Sequence, residues 1–295
     1  MLLLIVALLG DSTPPRAAPT TPAETLAVHI AGAGRPVVLI PGLFGSAYAY
    51  RNVVPDLTAA GRRAITIEIL GTGASARPAN ADYSLAAQAQ RVAAVLDTLE
   101  VRGAIVVAHS LGGAVALRLA VERPDLVAGL VSLEGGPAEA ATSPGFRRAM
   151  ALAPLLKIFG GKGIVRGRVV KQLHESSADT TWITPEVIEG YTAGAMADLG
   201  ATLDAFMGMA RAEEPWALGP RLDELRCAMV LVLGAAPHAS APPPAEIALL
   251  QDSVRVFAID SVPDAGHFVF EERPASVLRA VRRIELSWLL AARAR

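Results

Sequence analysis

Ala104-Ile105-Val106-Val107-Ala108-His109-Ser110-Leu111-Gly112-Gly113 is the stretch on which the reading of this chain turns. Its first four residues are wholly apolar and rich in β-branched side chains, which predicts a strand buried on both faces. Leu111 to Glu122 then reads as a small-residue helix halted by Pro124. A strand that turns sharply into a helix leaves the residue at the turn clear of the backbone, and here that residue is Ser110. A serine hydroxyl is a poor nucleophile at neutral pH. It needs such a position, a neighbouring base, and hydrogen-bond donors waiting for the oxyanion. Ala108 and Gly112, two residues either side, are small enough for the close backbone packing of such a turn. Serine is also a favoured helix N-cap, but capping leaves the preceding strand and the small flanking residues unexplained.

Outward from this turn the same rhythm repeats. Val37 to Ile40, Ala64 to Ile69, Leu130 to Leu133, Met229 to Leu233 and Val254 to Ile259 read as further strands, and Ala86 to Leu99 as a helix with Ala89, Val92, Ala93, Leu96 and Leu99 on one stripe. Strands alternating with helices predict an α/β fold, a mostly parallel central sheet with helices on both faces. Between Gly135 and Leu222 the rhythm breaks, and helical patterns such as Phe146 to Leu156 and Pro185 to Ala210 occur without a convincing strand. A structureless loop of that length does not suit a compact domain, so an inserted helical cap is expected. The organisation read is 1–22 as a tail or leader, 23–137 as the first part of the core, 138–221 as the cap and 222–295 as the second part of the core.

The 295 residues carry 27 basic and 28 acidic side chains, a net charge of -1. Such a balance supplies no field for nucleic acid or an anionic membrane surface. With 52% apolar and 19% charged residues the composition is that of a globular chain. The single cysteine, Cys227, excludes an internal disulfide and every cysteine-rich zinc arrangement. Met1 to Leu9 is almost wholly aliphatic and is followed by a Pro, Thr, Ser and Ala tract with Ala17 and Ala18 as a cleavage region. The run is too short to span a bilayer and suits the apolar part of a secretory signal, although a basic leading region is missing. Export to the periplasm or medium is therefore the expectation, with a cytoplasmic location the alternative.

The strings around Ser110 resemble the α/β-hydrolase superfamily. Ala108-His109-Ser110-Leu111-Gly112-Gly113 is similar to its nucleophile elbow, with Ala108 replacing the first glycine. Leu39-Ile40-Pro41-Gly42-Leu43-Phe44-Gly45-Ser46 looks like the family's oxyanion loop, with Pro41 where histidine is common. Gly71-Thr72-Gly73-Ala74-Ser75 looks like its glycine-serine turn, without the usual preceding aspartate. Asp264-Ala265-Gly266-His267-Phe268, with Glu271-Glu272-Arg273-Pro274 behind it, resembles its catalytic-histidine loop. Four such strings in this order and strand context imply the α/β-hydrolase fold, with His267 as general base and the Leu43 and Leu111 amides as oxyanion donors. His29, His109, His174 and His238 have quieter places, and none has metal-ligand spacing along the chain with another histidine or carboxylate; no metal is expected.

The imidazole also needs an acid to orient it. The family's usual place, after the strand that follows the cap, is here Gly234-Ala235-Ala236-Pro237-His238, with no carboxylate until Glu246. Leu130 to Leu133 ends instead in Glu134, on the neighbouring strand, and the acid is assigned there; Asp260 and Asp264 are read as shaping the loop of His267. Certain dehalogenases and the zearalenone-type lactonases of the family carry their acid at this position, and the Gly234-Ala235-Ala236 turn also looks like the lactonases'. A serine nucleophile excludes the alkyl-enzyme route of hydrolytic dehalogenases and epoxide hydrolases.

The expected activity is hydrolysis of a carboxylic ester or lactone with a hydrophobic acyl or alcohol part, through an acyl-enzyme and a triad of Ser110, His267 and Glu134. Carbon-carbon bond hydrolysis, cofactor-free perhydrolysis and a ligand receptor on the same fold stand as alternatives. Phe146, Met150, Leu152, Leu155, Leu156, Ile158, Phe159, Trp182, Tyr191, Met196, Phe206, Met207 and Met209 offer the cap an apolar lining or internal packing. Lys157, Lys162, Arg166, Arg168 and Lys171 read as a solvated basic face. Gly32-Ala33-Gly34 and Gly160-Gly161-Lys162-Gly163 match neither dinucleotide nor P-loop spacing, so no nucleotide cofactor is expected.

Overall fold

The structure, a computed structural model, describes residues 24–158 and 161–293. The expected leader, Phe159 and Gly160 fall outside the described residues, as do the side chains of Leu156 and Ile158. In chain order the elements are β1 (Val28–Ala31), β2 (Arg35–Ile40), α1 (Val54–Ala59), β3 (Arg62–Ile67), α2 (Leu85–Thr98), β4 (Ala104–His109), α3 (Leu111–Glu122) and β5 (Val127–Leu133). Five helices follow among the described residues: α4 (Pro144–Met150), α5 (Ala153–Ile158), α6 (Lys162–Glu175), α7 (Pro185–Ala197) and α8 (Leu199–Arg211). The chain then returns through β6 (Ala228–Gly234), α9 (Pro244–Ser253), β7 (Phe257–Val262), α10 (Val269–Glu272) and α11 (Ala275–Arg293).

The strands form one sheet in the order β1-β3-β2-β4-β5-β6-β7. Every neighbouring pair is parallel except β1 with β3. The near-continuous apolar runs are explained by two separate cores. Val38, Ile40, Val106, Ala108, Leu130 and Leu231 face α2 and α3 on one side of the sheet. Val37, Leu39, Val107, Val131, Leu133 and Val232 face Leu57 of α1 and Val277, Val281 and Ile284 of α11 on the other. With both faces covered, alternation disappears from the sequence. No described helix is long and apolar enough to cross a membrane.

Parallel strands deliver their carboxyl ends to one edge, where ligands of open α/β sheets bind. Ile40 runs into Pro41-Gly42-Leu43, His109 into Ser110, Leu133 into Glu134, Gly234 into the loop of His238, and Val262 into the loop of His267.

Two expectations are corrected, and one strand escaped the reading. The last strand lies at Phe257–Val262, three residues beyond Val254 to Ile259, because Val254 closes α9 with its amide on Leu250 O at 2.9 Å. The patterns Phe146 to Leu156 and Pro185 to Ala210 are each two helices. Asp198 divides the second pair, its carboxylate accepting from the Ala201 amide at 2.9 Å as the N-cap of α8, an arrangement worth about 1 kcal/mol. β1 was not foreseen, since an antiparallel edge strand with both ends half-buried and its middle exposed shows no apolar run.

Candidate active site

Ser110 sits between β4 and α3 with φ +51 and ψ −118, a left-handed region that non-glycine residues rarely occupy. The turn is held because the Ser110 amide donates to Leu133 O at 2.9 Å and the Gly113 amide to Ser110 O at 2.8 Å. Glycine is required at 112, where a Cβ would meet Ile40 O at 2.6 Å and Pro41 O at 2.9 Å. The close approach of α3 to the Pro41 loop puts Leu43 and Leu111 with Ser110 on the wall of one cavity of about 780 Å³. Leu111 is the first residue of α3, so its amide lacks an intrahelical partner and carries the positive end of the helix dipole. Glu134 and His267 line the same cavity.

The loop of His267 is fixed by its backbone. The His267 amide donates to Ser176 O at 2.7 Å. The Gly266 amide donates to Glu272 Oε1 at 2.9 Å, while Glu272 Oε2 accepts from the Ala178 and Asp179 amides at 2.9 and 2.8 Å. One buried carboxylate thereby ties the histidine loop to the chain between α6 and α7. Its neighbour Glu271 does the same for α7 and the segment after the Pro41 loop, accepting from Tyr191 Oη at 2.8 Å, Arg51 at 2.6 Å and Asn52 at 3.2 Å. Burial pushes the Glu271 carboxyl above the usual carboxylate range, against the pull of Arg51 and Tyr191. Glu272→Gln sets an amide NH₂ against backbone donors. It is expected to lower kcat by about tenfold and stability by about 1–3 kcal/mol; steady-state kinetics and denaturant unfolding check it, and unchanged kcat contradicts the positioning role.

Glu134 also stands at positive φ, +53, at the end of β5. Its amide donates to Val232 O at 3.0 Å and its Oε1 accepts from the Gly234 amide. Its side chain is fully buried, and Oε2 lies 3.7 Å from His267 Nδ1. That is a charge contact longer than a hydrogen bond, and His267 Nδ1 has no hydrogen-bond partner. The nearer neighbour of Oε2 is His238 Nε2 at 3.1 Å. Asp260 is drawn away to Arg283, and Asp264 is exposed at φ +53 in the turn before His267.

Two residues with quiet readings therefore belong to the site. His109, buried behind the serine, has Nε2 3.1 Å from His267 O and its ring centroid 4.6 Å from that of His267. A carbonyl accepts only, so Nε2 carries the hydrogen. Burial, followed by the neighbouring His267, drives the His109 pKa well below 6.5 and keeps this ring neutral. His238 joins Glu134 and His267 so that one ligand atom from each lies within 4.8 Å of the others. None of these histidines has metal-ligand spacing along the chain, and the fold nevertheless brings His238 beside Glu134 and His267. Separations of 104 and 158 residues hide both contacts from any spacing rule.

The absent aspartate of the glycine-serine turn is replaced by buried Glu68, whose carboxylate accepts from the Ala47 amide at 2.6 Å and the Ala74 amide. It joins the turn to the segment after the Pro41 loop. Of the expected cap lining, Phe146 and Tyr191 face the cavity. Phe206 packs edge-on against Phe44 at 5.4 Å, Trp182 contacts Phe268 at 5.5 Å, and Leu152 and Leu155 are exposed.

Residues 35–153 match the family model described as alpha/beta hydrolase fold. A 2-hydroxymuconate semialdehyde hydrolase of Pseudomonas sp. (strain CF600) is 40% identical over 107 residues, 35% of this chain and 38% of that protein. A haloalkane dehalogenase of Psychrobacter cryohalolentis is 31% identical over 165 residues, 54% of each chain. The matches thus span between about a third and about half of these relatives' lengths. A thermophilic esterase from Thermogutta terrifontis has the same fold, with a TM-score of 0.69 at 23% identity over 93% of this chain and 97% of that one. The fold is that of the α/β hydrolases, as the sequence strings imply.

Proposed function

On this α/β-hydrolase fold, we propose that the protein is a serine hydrolase cleaving a carboxylic ester or lactone. Ser110 Oγ attacks the carbonyl carbon while His267 Nε2 takes its proton. The Leu43 and Leu111 amides bind the oxyanion, and His267 returns the proton to the departing alcohol oxygen. Water then enters by the same route in reverse and releases the carboxylic acid. Glu134 holds the ring and stabilises the imidazolium. The single observation that carries the reading is the convergence of Ser110, on its strained strand-to-helix turn, with His267 and Glu134 on one cavity wall. Alkyl-enzyme chemistry requires a carboxylate where Ser110 stands, so the dehalogenase likeness does not extend to mechanism.

The cavity of about 780 Å³, with Phe44, Phe146, Phe268 and Phe270 on its walls, suits a hydrophobic substrate. The similarity to the semialdehyde hydrolase favours carbon-carbon cleavage as the second reading. A panel of p-nitrophenyl esters, aliphatic and aromatic lactones and ring-cleavage diketones separates the two. The proposal expects kcat/KM to be highest on an ester or lactone, and turnover confined to diketones contradicts it. The proposal includes no cofactor and no nucleic-acid partner. Export, and residues 138–221 as a substrate-selecting cap, remain part of it.

A further inference from the structure

His238 is placed by hydrogen bonds that decide its chemistry. Nδ1 lies 2.7 Å from Ala236 O, and a carbonyl accepts only, so Nδ1 carries the hydrogen. The ring then turns Nε2 toward Glu134 Oε2, 3.1 Å away. A third polar atom, buried His267 Nδ1, lies 3.7 Å from the same oxygen without a hydrogen-bond partner. The three side chains are 3%, 0% and 7% exposed for His238, Glu134 and His267, so little water reaches the space between them. The ring of His238 is also held in place. The next residue, Ala239, donates its amide to Glu175 O at 3.1 Å, and Ser240 Oγ accepts from Gln172 at 2.8 Å, both on α6.

Two imidazole nitrogens and a carboxylate oxygen turned toward one buried point can serve a metal cation, His267 Nδ1 giving up its hydrogen as the ion enters. Two imidazole nitrogens and one carboxylate oxygen form the donor set of zinc and its borderline neighbours, whereas calcium and magnesium take oxygen. Ligand atoms about 2.0–2.1 Å from a tetrahedral zinc stand about 3.3 Å apart, close to the 3.1 and 3.7 Å observed on two edges. Glu134 and His267 also line the cavity, which gives an ion a way in.

We propose that Glu134, His238 and His267 form a binding site for a divalent transition ion such as Zn²⁺, and that the bound ion shuts the enzyme off. The ion takes the lone pair of His267 Nδ1, which leaves the remaining hydrogen of the neutral ring on Nε2. The nitrogen that must accept the Ser110 proton is then already protonated, and Glu134 is spent on the metal. The inhibitory half rests on the serine-hydrolase reading; the binding half does not.

The experiment is calorimetric titration of the full chain with ZnCl₂, repeated with Co²⁺ to read the visible bands of nitrogen coordination. The expected result is one site, with zinc affinity falling at least about tenfold in His238→Gln and in Glu134→Gln and unchanged in a His29→Ala/His174→Ala double variant. Zinc is further expected to inhibit hydrolysis in the wild type and to need at least about tenfold more metal in His238→Gln. Absence of zinc binding overturns the proposal, as does binding lost in the double variant but kept in His238→Gln. Calorimetry and cobalt bands report on the site even if no ester or lactone is turned over, so failure of the functional reading is read separately.

Discussion

Alanine at position 110 is expected to abolish ester and lactone turnover, lowering kcat by on the order of 10⁴-fold or more while leaving the fold intact. Oγ is the only atom removed. The backbone at φ +51 is imposed by the Ser110 amide on Leu133 O, the Gly113 amide on Ser110 O, and the packing of Gly112 against Ile40 and Pro41, none of which involves the hydroxyl. Left-handed backbone at a non-glycine residue costs about 1–3 kcal/mol, and alanine bears the same strain as serine. The unfolding midpoint is therefore expected to move little. Stopped-flow or steady-state hydrolysis together with thermal unfolding checks both halves. Retained turnover in a folded Ser110→Ala removes the serine from the mechanism.

Glu134→Gln is expected to lower kcat by about 10²–10⁴-fold with KM nearly unchanged. Glutamine fills the same volume, and its oxygen can still accept from the Gly234 amide. The uncharged amide then sets an NH₂ group where Oε2 faces His267 Nδ1 and His238 Nε2. The ring loses the carboxylate that selects its Nδ1–H tautomer and stabilises the imidazolium formed during attack. The 3.7 Å separation is closed to hydrogen-bond length by a shift of about 0.8 Å, and catalytic contacts of this kind tighten when substrate is bound. A kcat within threefold of wild type reassigns the acid, and pre-steady-state bursts show whether acylation is the slowed step.

The core of the fold was readable because burial on both faces writes itself into composition. Val37 to Ile40 and Ala104 to Val107 are apolar without alternation since α2 and α3 lie on one side and α1 and α11 on the other. β1 was silent for the opposite reason, having one neighbour and exposed central residues. Val254 misled because an apolar residue closing a helix looks locally like one opening a strand. Ser110 and Glu134 lie at the ends of strands whose apolar runs show in the sequence, whereas the strand before His267 was read three residues early. His109 and His238 could not be named from the sequence, since their partners are chosen by sheet order and by the bend of a Pro-rich loop.

Peptide mass mapping after inactivation with a fluorophosphonate probes the central claim most directly, since the reagent is captured only by a serine that a neighbouring base has activated. The account predicts a single stoichiometric adduct on Ser110, with activity lost in proportion, and little or no adduct in His267→Gln. An adduct on another residue, or unchanged labelling of Ser110 without the His267 imidazole, contradicts it.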